Sequence, residues 1–156
     1  MSNVLIGIIG VILFIGLALA GALFLGPRFQ EATINSKAAT EMAQVTQYAN
    51  AVALFQLQEG EKYTNDKKAR LVPAYLKVVP TSTSGTNYAG YDEDNQFAYM
   101  LLGGVDLDQS RRICESIQRT MTGSPVLPVV DALYNAGKHG CSRNSASTGY
   151  MVHQRI

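Results

Sequence analysis

The sequence predicts an α+β fold in which one long N-terminal helical spine, with a hydrophobic half and an amphipathic half, packs on a small antiparallel sheet. Three observations predict it: an uncharged apolar run over residues 4–25, an amphipathic pattern that continues to about residue 59, and short strand-like segments beyond. Of the 156 residues, about 130 lie outside the apolar run, enough for one domain with a modest core. We therefore expect a hydrophobic transmembrane or filament-core helix over residues 1–27 and a globular head over residues 28–156.

The apolar run is long enough to cross the hydrocarbon core of a bilayer as a helix. A cleaved secretory signal is the alternative, but the run lacks a basic leader region and is too long, and no small-x-small site precedes a polar start. Its nearest charge, Arg28, favours a cytoplasmic location for that end, whereas the two cysteines favour an oxidising compartment. A basic leader removed ahead of Met1 would reconcile the two, so we expect Met1 to be a processed N-terminus.

Five glycines lie in or next to the apolar run, and two interpretations of them stay open. Small residues let membrane helices approach each other closely. Alternatively, the helix partly melts near its C-terminal half, and a proline adds to this by removing one helical hydrogen bond, unless it opens a second helix. The predicted melting region consists of Gly16, Gly21, Gly26 and Pro27.

An amphipathic helix is predicted over residues 28–59, with Gly60 as its C-cap. Its apolar positions recur at steps of three and four, as on one face of a helix. They are Ile34, Ala38, Met42, Val45, Ala49, Val52 and Phe55, with Tyr48 and Ala51 beside them. The opposite, polar face is assigned Glu31, Lys37, Glu41, Gln44, Gln47 and Asn50. The apolar stripe is expected to lie under the sheet.

The segment after this helix shows no strong strand pattern until residue 96. Residues 61–70 are predicted to be a charged loop, and residues 71–80 a turn or short helix, because prolines near both ends disfavour a central strand. Residues 81–90 have the composition of a loop. The best strand candidate is residues 96–102, which Gly103 and Gly104 would end.

A second amphipathic helix is predicted over residues 109–121, capped by Asp106 or Asp108. Its apolar face would be Ile113, Ile117 and Met121. Further short strands are expected within residues 126–134 and 149–156.

The order of these features resembles the type IV pilin family. An apolar helix beginning at Met1 passes into an amphipathic helix, and a loop with LVPAYLKVVP at residues 71–80, a small sheet and a late cysteine pair follow. The size and the long segment holding the cysteines are most similar to the type IVb branch, as in toxin-coregulated and conjugative thin pili. Leu5 departs from the family, whose major pilins usually carry a glutamate that pairs with a neighbour's N-terminal amine. This departure favours an atypical or minor subunit, or an assembly without that pairing.

The resemblance implies a subunit that polymerises with copies of itself into a surface pilus for adhesion, aggregation, motility or conjugation. Before assembly it would be anchored in the inner membrane and handled by the pilus assembly machinery. Physics suggests the same mechanism, since an apolar anchor that leaves the bilayer needs a new apolar environment. The predicted polymerisation core is Met1, Leu5, Ile8, Ile12, Ile15, Leu19 and Leu23.

Alternatives to a major pilin remain. The chain is also compatible with a minor pilin, a type II secretion pseudopilin, or a monomeric membrane-anchored binding module. The uninterrupted helical pattern across residues 26–31 favours the pilin, because a simple anchor normally ends in a flexible linker.

The two cysteines, Cys114 and Cys141, are expected to form a disulfide if the head lies outside the cytoplasm. The alternative is two isolated buried thiols. No CxxC spacing occurs, so neither thioredoxin chemistry nor a zinc knuckle is indicated.

The sequence has few other patterns that indicate catalysis or ligand binding, and we predict no enzymatic activity, no cofactor and no metal site. His139 and His153 are interpreted as surface or structural residues, and residues 92–95 as a solvated loop rather than a calcium site. Thirteen basic and twelve acidic residues without a basic run give no support for nucleic-acid binding. An adhesive patch or ordinary loop and core packing are both open for Tyr88, Tyr91 and Tyr99.

Overall fold

The computed structural model describes residues 2–83, 89–102, 106–130, 137–144 and 149–156. It has the predicted α+β arrangement, with a long N-terminal helix and a small sheet. The chain divides into two compact units, Met1–Thr33 and Ile34–Ile156. Met1 itself lies outside the described residues.

The first helix, α1, extends over Ser2–Glu59 and contributes residues to both units. It ends where the sequence predicts, because Gly60 adopts a left-handed φ of 67° and its N–H bonds to the carbonyl of Gln56 at 3.1 Å. Pro27 lies within the helix and does not end it.

The predicted apolar stripe of α1 forms much of the core of the second unit. Val45, Tyr48, Val52 and Phe55 are fully buried. Ala38, Ala49 and Ala51 are also buried, and Ile34 and Met42 pack against this core while partly exposed. The prediction for this face is confirmed. Two residues that we assigned to the polar face need correction: Glu41 is fully buried, and Gln44 is partly buried with its Oε1 atom inside the structure.

The predicted charged loop, residues 61–70, is partly helical. A 3₁₀ helix, Asn65–Lys67, is followed directly by a short helix α2, Lys68–Leu71. Arg70 holds this segment against the end of α1 by pairing with Glu59 at 2.5 Å and by stacking 5.1 Å from the ring centroid of Phe55. These contacts are made with another element, so local composition could not predict the 3₁₀ helix or α2.

The proline-flanked segment is a turn, as predicted. The N–H groups of Tyr75 and Leu76 both donate to the carbonyl of Leu71, at 2.9 and 3.0 Å. This compact turn buries Leu71 and Leu76 in the core.

Five strands form one sheet in the order β1-β2-β5-β4-β3. Their bounds are β1 Gly90–Asp92, β2 Phe97–Leu101, β3 Val129–Val130, β4 His139–Asn144 and β5 Tyr150–Arg155. The pairs β1–β2, β2–β5 and β5–β4 are antiparallel. The two-residue β3 pairs with β4 in parallel.

Two of these strands match predictions directly and two were missed. β2 and β5 fall inside residues 96–102 and 149–156, and β3 is a small part of residues 126–134, of which 131–134 lie outside the described residues. β1 begins at the end of a predicted loop, and β4 was not predicted. Residues 84–88, Gly103 and Gly104 are likewise outside the described residues.

The helix after β2, α3, extends over Leu107–Thr122. Asp106 is its N-cap, and its side chain accepts the N–H groups of Asp108 and Gln109 at 3.0 and 3.1 Å. Ile113 and Ile117 are buried as predicted, but Met121 is exposed because it lies in the last turn, beyond the part of the helix that covers the sheet.

Candidate assembly surface

The most unusual surface of the chain is the apolar segment, which we define as residues 4–24. Its large hydrophobic side chains are 49% to 78% exposed. The predicted polymerisation-core residues that the structure describes all belong to it. They are Leu5, Ile8, Ile12, Ile15, Leu19 and Leu23.

These predicted residues do not form a separate stripe. Ile6, Leu13 and Leu17, on other faces of the helix, are exposed to a similar degree. A helix that is apolar on all sides belongs in a membrane or inside a protein core. The whole circumference of the segment is therefore a candidate contact surface.

The segment is long and apolar enough to cross a membrane, and its most apolar window has no residue buried inside the structure. Soluble monomers rarely expose contiguous apolar patches of more than a few hundred Å². Lipid or other protein chains are thus the physically suitable surroundings for it.

The glycines of the predicted melting region are helical in this structure. A methyl group on Gly16, Gly21 or Gly26 would meet no described atom within 4 Å outside its own stretch of helix backbone. Packing inside the single chain therefore gives no reason for glycine at these positions. Close approach of another helix and melting during assembly both stay predictions.

The head is braced by a disulfide between Cys114 and Cys141, which confirms the predicted pairing. Both residues are fully buried, and the bond joins α3 to β4. Next to it, the N–H of Cys141 donates to the side-chain carbonyl of Gln118 at 3.2 Å. The crosslink fixes the helix over the sheet at a point where local hydrogen bonding already joins them.

Glu41 also joins distant parts of the head, although sequence analysis placed it on the polar face of α1. Its Oε1 atom accepts hydrogen bonds from the hydroxyl of Ser82 at 3.0 Å, from the backbone N–H of Thr83 at 2.6 Å and from the Thr83 hydroxyl. The signal was present in the spacing, since position 41 follows Ala38 by three residues and precedes Val45 by four. Those steps place it on the buried stripe.

Aromatic rings occupy the centre of the core. The hydroxyl groups of Tyr48 and Tyr63 lie 3.2 Å apart, and the Tyr63 ring makes edge contacts with Phe55 and Tyr91 at centroid distances of 5.5 and 5.3 Å. Burial raises the pKa of the Tyr63 hydroxyl and of the Tyr91 hydroxyl. Both phenols therefore stay neutral at physiological pH.

This packing decides the open question about two of the three tyrosines we considered as a surface patch. Tyr91 lies in β1 and is buried, so neither an adhesive role nor that of a loop aromatic suits it. Tyr99 lies in β2 and packs partly buried against Phe97 and Met151. Tyr88 is outside the described residues.

The two histidines lie in different surroundings. His139 is exposed, whereas His153 is fully buried with its ring edge-on to Phe97 at 5.7 Å. In residues 92–95, Asp92 accepts the N–H groups of Asp94 and Asn95, as expected for a tight turn between β1 and β2. Within the described ranges, no three His, Cys, Asp or Glu side chains come together as metal ligands would.

Sequence analysis also missed a groove between α1 and the C-terminal half of α3, which we call the α1–α3 groove. It has a volume of about 1070 Å³ and lies within the second unit. Its lining includes Ala38, Ala39, Ala43 and Leu54 from α1 and Ser116 and Met121 from α3. Its one signal in the sequence is Leu54, an apolar residue of α1 that is not part of the predicted apolar stripe.

No protein-family model, curated protein or solved structure matches this chain. Its function is therefore inferred from its own residues and their arrangement.

Proposed function

We propose that this chain is a structural, non-enzymatic subunit that polymerises into a type IV pilus-like filament on the cell surface. The observation that carries the proposal is the apolar segment, which is exposed on all sides and belongs to the same helix that builds the core of the head. Before assembly, the segment would anchor the chain in the inner membrane. After assembly, segments of many copies would be buried together in the filament core.

Exposed apolar area supplies the driving force in this proposal. Burying one Leu, Ile or Phe side chain contributes about 1.5–3 kcal/mol relative to leaving it in water. The segment carries twelve such side chains, so a copy outside the membrane is stable only where other apolar surfaces cover it. Leu5 suits such a core, because an unpaired carboxylate there would be costly to bury.

The disulfide supports the proposed location of the head. Structural disulfides persist in oxidising compartments and are rare in the cytoplasm. A head crosslinked through Cys114 and Cys141 is accordingly suited to the periplasmic and extracellular side.

A minor subunit is the second candidate within the same class. Leu5 favours it, because major pilins usually carry a glutamate at that position. A minor pilin or a pseudopilin would carry the same segment and the same head, but would be present in few copies per filament.

Electron microscopy of material sheared from cells tests the proposal. We expect filaments several nanometres wide in which mass spectrometry identifies this chain as the main component. Trace amounts in filaments made mainly of another protein would identify a minor subunit. Absence of the chain from any filament, with all copies in the membrane fraction, would contradict the proposal and favour a monomeric membrane-anchored module.

A further inference from the structure

The α1–α3 groove has the composition of a surface made for another helix. Its α1 side is rich in alanines, and its α3 side contributes Ser116 and Thr120. Small and hydroxyl-bearing residues are typical of interfaces at which membrane helices pack closely. Arg119 is the only charged side chain in the described lining, so a partner that lies in the groove can be uncharged.

The groove also exposes apolar groups that the described residues of the head leave partly uncovered. Leu54 is 48% exposed and Met121 is 38% exposed, and both line it. Each is a large side chain on an otherwise amphipathic helix. An apolar partner would remove both from water.

The length of the groove sets the length of its partner. Along α1 the lining extends from Asn35 to Leu54, a distance of about 28 Å at the helical rise of 1.5 Å per residue. The apolar segment, residues 4–24, is about 30 Å long by the same measure. A helix of that length and about 10 Å in diameter fills about 2400 Å³. The groove, with a volume of about 1070 Å³, is smaller than such a helix and covers only part of its circumference.

We propose that the α1–α3 groove binds the apolar segment of a second copy of this chain. The inference rests on the proposed function and names the surface of the head that receives a neighbouring subunit. The match in length, the lack of charge on the segment and the near absence of charge in the groove together select this occupant. The rest of the segment's circumference stays available for further copies.

The direction of docking follows from the shared membrane origin of the copies. Subunits that enter a filament from one membrane point the same way, so docked helix and α1 run parallel. When the ends of the segment and the groove are aligned, Val4 of the docked segment lies beside Asn35. Leu23 then lies opposite Leu54, and Ile12 lies opposite Ala43. An antiparallel helix would instead place Leu5 opposite Leu54.

Disulfide crosslinking between two tagged full-length copies tests the proposal. The two native cysteines are bonded to each other, so introduced cysteines are the only free thiols. One copy carries Leu54→Cys and the other carries Leu23→Cys, expressed together in cells that build the filament. We expect a crosslinked pair of both tags, at least tenfold more abundant than with Leu5→Cys in place of Leu23→Cys.

A matched control uses Val126→Cys, which is 73% exposed and does not line the groove. It should crosslink to Leu23→Cys at least tenfold less than Leu54→Cys does. Ala43→Trp, which fills the groove, should reduce both the crosslink and the filament yield at least tenfold, while Val126→Trp changes neither. Recovery of the linked Cys114–Cys141 peptide shows that each variant head has folded.

The outcomes separate this inference from the proposed function. Filaments that form normally from Ala43→Trp, without the Leu54–Leu23 crosslink, overturn the groove assignment and leave the filament proposal standing. Crosslinking without any filament supports the groove and overturns the filament. Equal crosslinking to Leu5→Cys and Leu23→Cys, or capture of a different protein instead of the second copy, overturns the groove assignment.

Discussion

Glu41 Oε1 accepts the backbone N–H of Thr83 at 2.6 Å, a contact between residues 42 positions apart. Ser82 donates its hydroxyl to the same oxygen. A carboxylate in the middle of a buried helix face thus fixes the segment that leads toward β1. The bond joins α1 to the segment that follows the proline-flanked turn.

We predict that Glu41→Ala lowers the free energy of unfolding by about 2 kcal/mol or more, because it removes an acceptor shared by several donors. Glu31→Ala, at an exposed position of the same helix, should change it by less than about 0.5 kcal/mol. Chemical denaturation of the full chain in detergent micelles measures both. Similar values for the two variants would mean that the Glu41 contacts contribute nothing to stability.

The buried stripe of α1 gives a second prediction. Val45→Asp should destabilise the head by more than about 2 kcal/mol, because it places a charge in the core. Gln47→Asp is the matched control, since Gln47 is exposed on the same helix. Thermal unfolding followed by near-ultraviolet circular dichroism distinguishes them. Equal midpoints would show that this face of α1 is not the one that stabilises the head.

The disulfide gives a third prediction. Replacing Cys114 and Cys141 together by serine should reduce the free energy of unfolding by roughly 2–5 kcal/mol, since the crosslink restricts the unfolded chain. Mass spectrometry of unreduced wild-type protein should find the two peptides linked. Free thiols in protein prepared without reductant would contradict the bridge and weaken the extracellular assignment.

The buried tyrosines predict alkaline instability. Burial raises the pKa of Tyr63 and of Tyr91 above the unfolded value of about 10. Their stabilising contribution is therefore complete below about pH 10 and is lost as the pH rises from there toward the folded pKa values. We expect phenolate absorbance from these residues to rise together with unfolding. Tyr63→Phe should weaken the pH dependence, and a wild-type stability that is constant above about pH 10 would contradict the assignment.

Much of the fold could be predicted because local signals and tertiary packing agree there. The apolar stripe ending at Phe55, the glycine cap at Gly60 and the N-cap at Asp106 each rest on the helix geometry of nearby residues. β2 is a run of apolar residues bounded by turns. The residues of such elements are sufficient to predict them.

The missed elements depend on partners outside the element itself. β1 has only three residues and exists because Tyr91 pairs with Ala98 and reaches the core. β4 includes Gly140 and polar residues, and its strand form comes from pairing with β5. The α1–α3 groove joins two helices whose relative placement no local pattern contains. Glu41 is different, because its spacing carried the signal and its charge masked it.

The most direct test of the central claim, that the apolar segment drives assembly, is the filament yield of Ile12→Asp measured by electron microscopy of sheared material. Ile12 is largely exposed in the single chain and contributes nothing to the core of the head. A charge there would cost on the order of a few kcal/mol for each subunit in an apolar filament core. We predict loss of filaments with the Cys114–Cys141 linkage intact, while Gln58→Asp, at an exposed position at the other end of α1, assembles normally. Wild-type filament yield from Ile12→Asp would contradict the account.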